Sequence, residues 1–316
     1  EGVADALACC GRVAKITGAR TEQVIPFSTG VIGERLPVDK ITAALETLVG
    51  KLAEENWLEA ARGIMTTDTR PKIASRRFEL GGENVTITGI AKGAGMIQPN
   101  MATMLSYIAT DVACGRDALQ VLLTDAVNGS FNRITVDSDT STNDSCLLVA
   151  TGAAGVDVDT DEKLRRVFAG ELQSLCLELA QGIIRDAEGA TKFVEVKVVN
   201  GKKADDCLKI AYAIANSPLM KTAIYAGDAN WGRIVMAIGK AGVDADIDKL
   251  DVWLGDVCLM RGGEKDHDYT EEAGSGVMAR EDITITVDLN AGDASETVWT
   301  SDFSHEYVRI NAEYRT

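Results

Sequence analysis

The sequence predicts an α/β protein. Three stretches carry apolar residues at helical spacing, four runs are rich in β-branched residues, and the two kinds are interspersed along the chain with no linker between them. The opening residues, EGVADALACCGRVAKITG, form an amphipathic helical pattern and lack the basic start and small-residue cleavage site of a signal peptide. They read as a helix met partway into a longer protein, whose N-terminal part is missing. PVDKITAALETLVGKLAEENWLEAARGIM follows, with Ile41, Leu45, Leu48 and Leu52 on one face and Pro37 at the first turn. NVTITGIA is the first strand-like run, and GRDALQVLLTDAVNGSF the next helix. The longest helical stretch, TDEKLRRVFAGELQSLCLELAQGII, starts at a Thr160 cap followed by two acids. KFVEVKVV, LDVWLGDVCLM and DITITVDL are strands, the last with period-two alternation. The charged loop at residues 261–276 reads as the most mobile segment, and a boundary falls near residue 195, dividing the chain into 1–195 and 196–316.

Composition narrows the function. Hydrophobic residues make up 46% of 316, and no run approaches the ~18 unbroken apolar residues of a membrane helix, so no membrane partner is expected. A net charge of −16 disfavours nucleic acid, whose phosphates are bound by cationic side chains. The seven cysteines form an odd set without C-x-x-C spacing and read as thiols of a reducing compartment. That compartment is the cytoplasm, or an organelle matrix in a eukaryote.

Only two histidines occur, His267 and His305, and neither lies beside a credible serine or cysteine nucleophile. A histidine triad is therefore not expected, and without H-E-x-x-H or a cysteine cluster no metal site is expected either. One base needs no special side chain. An α-amino group, with a pKa of about 7.7–8.0, can take the proton of a threonine hydroxyl on the same residue, provided the peptide bond ahead of that threonine is cut. AKGAGMIQPNMATMLSYIATD has the ingredients: a glycine-rich approach, a Pro-Asn turn, and a small residue before a threonine that opens an apolar strand. The candidate bond is Ala102–Thr103. By itself such a threonine is as readily an ordinary strand residue.

KGAGMIQPNMATML closely resembles the self-cleavage motif of the ornithine acetyltransferases, the bifunctional glutamate N-acetyltransferases of arginine biosynthesis. PFSTGVIGERLP, GIMTTDTRPK, FNRITVDSDTSTNDS, IRDAEGATKF, GDANWGRI and YVRINAEYRT resemble further signatures of the same family, in the family's order. The resemblance implies stacked β-sheets enclosed by helices, an αββα-type sandwich with a smaller C-terminal α/β domain. It also implies a precursor that cuts itself at Ala102–Thr103 into chains 1–102 (α) and 103–316 (β), assembled as a heterotetramer of two α and two β. Thr103 becomes the acetyl-accepting nucleophile, and Thr29 with Gly30 the oxyanion pair, a role worth ~3–4 kcal/mol per donor. The substrate contacts carried over are Thr69, Lys92, Thr103, Glu188, Asn311 and Thr316. Lys92 suits the carboxylate of N-acetylornithine and Glu188 its cationic end; either could instead be a surface charge.

The implied reaction moves acetyl from N-acetylornithine to glutamate with no cofactor, acetyl-CoA being left open as a second donor. An N-terminal-threonine aminopeptidase or amidase that passes the acyl group to water is the alternative, and an uncut amino-acid-binding protein another. GDANWGRI and TVDSDTSTND lack P-loop or EF-hand spacing and read as motifs that shape the pocket.

Overall fold

The computed structural model describes residues 1–98 and 104–313. Three helices open the chain: α1 (Gly2–Thr17), α2 (Val38–Val49) and α3 (Trp57–Gly63). The long helical stretch expected after Pro37 is thus two helices. Gly50 ends α2, and Leu48 and Leu52 are 57% and 77% exposed instead of sharing a buried face.

The first sheet has the order β1-β2-β3-β5, built from β1 (Lys72–Leu80), β2 (Glu83–Lys92), β3 (Leu105–Thr110) and β5 (Ser145–Ala150). β1 and β2 form a hairpin whose two turn residues, Gly81 and Gly82, both sit at positive φ (62° and 88°), the conformation that a tight hairpin with the sheet's own twist demands. β3 runs antiparallel to β2, with Lys92 opposite Leu105, and parallel to β5, with Leu105 opposite Ser145. Between β3 and β5 run helix α4 (Arg116–Asn128) and the short β4 (Ile134–Thr135).

Helix α5 (Glu162–Arg185) packs on β1 and β2 and also touches β4 and β11. Its N-cap is Asp161, whose carboxylate accepts from Lys163 N, not the expected Thr160, whose hydroxyl is turned to the Asp157 carbonyl. Among the described residues it is the helix long and apolar enough to cross a membrane, but eight of its side chains, from Phe168 to Ile184, are buried in the first core.

The second sheet has the order β4-β11-β6-β10-β7-β8-β9. Its other strands are β6 (Phe193–Gly201), β7 (Asp251–Leu254), β8 (Val257–Arg261), β9 (Glu264–Lys265), β10 (Asp282–Asp288) and β11 (Ala294–Ser301). The expected single run LDVWLGDVCLM is the β7–β8 hairpin, and the charged 261–276 loop holds β9 and the start of α9 (Glu271–Met278). Helix α6 (Ala204–Ala215) covers β6 and β11, followed by α7 (Pro218–Ala226) and α8 (Trp231–Gly239), with α10 (His305–Glu313) last. The α/β class expected from the interspersed pattern is the one observed. Residue 195 lies inside β6: core side chains up to Phe193 join the first core, those from Val194 the second, and Trp299 returns to the first.

Candidate active site

Six chain segments meet in one cleft of about 280 Å³. The turn at Thr29 and Gly30 and the pair Thr66 and Thr67 form one side; Lys92, the last residue of β2, and Gly95 with Met96 form the floor. Asp137, Asp139, Ser141, Thr142 and Asn143 make a wall, and Glu188, just past α5, meets Tyr307 and Asn311 of α10 at the far end. Of the residues named from sequence, Thr29, Gly30, Lys92, Glu188 and Asn311 line this space. Thr69 does not. Ala102, Thr103 and Thr316 lie outside the described residues.

The segment bearing the candidate bond is held at both ends. Ahead of it, Met96 N and Ile97 N donate to the Asp137 carboxylate at 2.7 and 2.9 Å, and Val136 N donates to the Ile97 carbonyl at 2.7 Å. Gln98 Oε1 accepts from Asn216 Nδ2 at 2.7 Å. Behind it, Ser145 N donates to the Met104 carbonyl at 2.9 Å, continuing the β3–β5 ladder.

Two opposite charges line the cleft, Lys92 and Glu188. Burial pushes the Lys92 ammonium below its ordinary value, against the pull of Asp68 and Asp144, and among the described residues it makes no ion pair. Glu188, 8% exposed, accepts from Asn311 Nδ2 at 2.7 Å. Gly95 is pressed against it: a Cβ there would fall 2.3 Å from Glu188 Oε2, so only glycine leaves the carboxylate where it stands. Beside Lys92, burial pushes the Asp144 carboxyl up to about 7, opposed by Ser141 and Lys92, and its buried Oδ2 has no hydrogen-bond partner among the described residues. A cation with no ion pair among the described residues and a carboxylate in the same cleft suit a zwitterionic amino acid. A second cavity, about 270 Å³, lies beside Met104 between α4 and β5 and contains none of the residues carried over from the sequence.

Beneath the floor sits a buried ion cluster that the sequence did not reveal. Lys72 Nζ bonds to the Asp68 carboxylate, to Asp186 at 2.5 Å and to the Gly93 carbonyl at 3.1 Å, with side-chain exposures of 3%, 0% and 3% for Lys72, Asp68 and Asp186. Asp68 also accepts from Gly93 N at 2.8 Å and Thr66 N at 3.0 Å. The Thr69 hydroxyl donates to Asp186, as does its N–H at 3.0 Å. Thr69 thus braces the segments that carry Lys92 and Glu188. Asp137 and Asn143 were also missed as site residues; Asn143 Nδ2 donates to the Ser28 carbonyl and to Thr29 Oγ1 at 3.0 Å. The signal was present in TVDSDTSTND, whose short polar side chains precede a strand, but nothing in sequence says which turn they face.

The family model described as "ArgJ family" matches residues 1–316. The arginine biosynthesis bifunctional protein ArgJ of Pseudomonas fluorescens is 54% identical over 319 residues, covering 100% of this chain and 78% of that relative. Its counterpart from Methylococcus capsulatus is 51% identical over 318 residues with the same coverage. Among solved structures, the crystal structure of the arginine biosynthesis bifunctional protein from Bacillus halodurans superposes with a TM-score of 0.64 at 38% identity, covering 67% of this chain and 100% of that one.

Proposed function

The chain belongs to the ArgJ family, and from that premise we propose how its cleft performs the family's chemistry. It is a self-cleaving acyltransferase of arginine biosynthesis that moves the acetyl group of N-acetylornithine to glutamate. One cleft gathers Thr29, Gly30, Lys92, Glu188 and Asn311 beside Gly95 and Met96, which precede the cleavage motif, and this observation carries the assignment of roles. The hydrolase alternative is not favoured, because the relatives from Pseudomonas and Methylococcus bear the biosynthetic name.

Cleavage of Ala102–Thr103 frees the Thr103 α-amine, which takes the proton of the Thr103 hydroxyl. The oxygen attacks the acetyl carbonyl, and the charge that gathers on the carbonyl oxygen is met by the Thr29 hydroxyl and the Gly30 N–H. Collapse expels ornithine, whose amine takes the proton back, and leaves acetyl-Thr103. Glutamate then enters and repeats the steps in reverse. Lys92 attracts the α-carboxylate, and Glu188, oriented by Asn311, pairs with the cationic side chain of ornithine. Thr69 acts through Asp186 from outside the cleft, and Thr316 is assigned as a substrate contact. Acetyl-CoA as a second donor to the same threonine fits the word bifunctional in the relatives' names.

The reading extends to residues 1–195 as the catalytic domain, to chains 1–102 and 103–316 that stay together as two α and two β, and to the cytoplasm, where seven free thiols persist. Steady-state kinetics test the central scheme: one acceptor residue used twice gives parallel double-reciprocal lines for the two substrates, and intersecting lines would rule it out.

A further inference from the structure

A hydroxyl has one proton to give, and where it points depends on what the oxygen accepts. The Asn143 amide settles this for Thr29. Its nitrogen faces both the Ser28 carbonyl and Thr29 Oγ1, the latter at 3.0 Å, while its Oδ1 accepts from Ser141 Oγ at 3.0 Å. A carbonyl oxygen can only accept, so the group facing Ser28 must be the NH₂, and the amide orientation is fixed by chemistry. Thr29 therefore accepts from Asn143 and cannot return its proton there. Asn143 stands two residues before Ser145, the β5 partner of Leu105, and Phe27 packs edge-on against Tyr107 of β3 at 4.9 Å between ring centroids. The turn bearing Thr29 is thus docked by one polar contact to the residues leading into β5 and one apolar contact to β3.

We infer that Asn143 is a positioning residue for acetyl transfer: by donating to Thr29 Oγ1 and the Ser28 carbonyl it holds the turn and leaves the Thr29 proton free for the oxyanion. The inference rests on the reading of Thr29 as an oxyanion donor and adds what directs it. Asp at 143 would reverse the bond, since a carboxylate accepts only and draws the Thr29 proton to itself.

The test is a double-mutant cycle on the purified, self-cleaved enzyme, with kcat expressed per cleaved chain. Asn143→Asp is expected to lower kcat about 10²–10³-fold, the range for loss of one oxyanion donor, with KM changed less than about threefold. On a Thr29→Ala background the same change should cost less than about threefold more, because the proton it misdirects is gone. Asn143→Ala, which adds no charge, should lower kcat by roughly tenfold and keeps the test open if the Asp variant does not fold. A Thr29→Ala enzyme that is impaired while both Asn143 variants stay within threefold of the parent overturns the inference. So does a full additional loss from Asn143→Asp in the Thr29→Ala background, which would mark a purely structural role. An unimpaired Thr29→Ala enzyme overturns instead the oxyanion reading beneath it.

Discussion

Lys72→Met isolates the contribution of the buried cluster under the cleft floor. It removes one cation from between two carboxylates whose side chains are 0% and 3% exposed. Stripping one partner from a buried ion pair costs about 3–5 kcal/mol, because the remaining charge is left uncompensated. Both carboxylates keep other donors here, Gly93 N and Thr66 N on Asp68, Thr69 N and its hydroxyl on Asp186, so the lower end of that range, about 3 kcal/mol, is expected. The measurement is urea unfolding in a Thr103→Ala background, where the chain stays uncut, at one fixed protein concentration, with the shift read from the midpoint at constant slope. The pH dependence gives a second handle. Burial alone would push the Asp68 carboxyl up, but the Lys72 charge, with the Gly93 and Thr66 N–H groups, outweighs it and holds the group below its ordinary value. A lowered folded value means stability present above the ordinary carboxylate range and lost as pH falls through the lowered value. Without Lys72 the burial effect is opposed only by the N–H groups, so the acid limb of the stability curve should move to higher pH. A variant within about 1 kcal/mol of the parent at pH 7, well short of the expected cost of a broken buried pair, or an unmoved acid limb, would refute the reasoning.

Three further outcomes follow from the cleft. Lys92→Met should raise KM for N-acetylornithine by 10-fold or more, about 1.4 kcal/mol per decade, with a smaller change in kcat; in the parent, KM should climb as pH rises through a value below the ordinary lysine range, and the variant should lose that limb. Gly95→Ala should leave the thermal midpoint nearly unchanged, since a flexible carboxylate can move aside, yet raise KM for ornithine derivatives by displacing Glu188; unchanged kinetics would show that the carboxylate position is immaterial. Asp144, raised to about 7 by burial, favours its protonated form in the folded protein, so its contribution is full below the ordinary carboxylate value and is lost as pH rises through about 7. Asp144→Asn should therefore gain in thermal midpoint over the parent between pH 5 and pH 8, and a constant difference across that range would contradict the burial argument.

The strands at β2, β6 and β10 and the long helix α5 were legible because their apolar spacing is dense and their lengths are ordinary. The division of the stretch after Pro37 at Gly50, and of the 250–260 run into a hairpin, was less so: apolar spacing continues across both breaks, and what ends each element is a single glycine. At the site, motif resemblance found residues that share a cleft even though Thr29 and Asn311 stand 282 positions apart, 311 less 29. It could not separate a residue that lines the cleft from one that braces it. Thr69 reaches Asp186 across 117 positions, and Asn143 reaches Thr29 across 114; pairings of that range are set by the topology of the first sheet and not by anything local. Nothing in the sequence sets Lys72 apart from a surface lysine, and its packing against Asp68 and Asp186 is what shows that it is buried.

Everything proposed for the cleft depends on a threonine that carries both the nucleophile and its base. Intact mass spectrometry of the denatured, active protein reads this directly. Two fragments, the second beginning with Thr103, are expected in place of the 33.6 kDa chain, while Thr103→Ala should remain whole and inactive. Full activity from protein in which the 102–103 amide is unbroken would remove the amine that the mechanism requires.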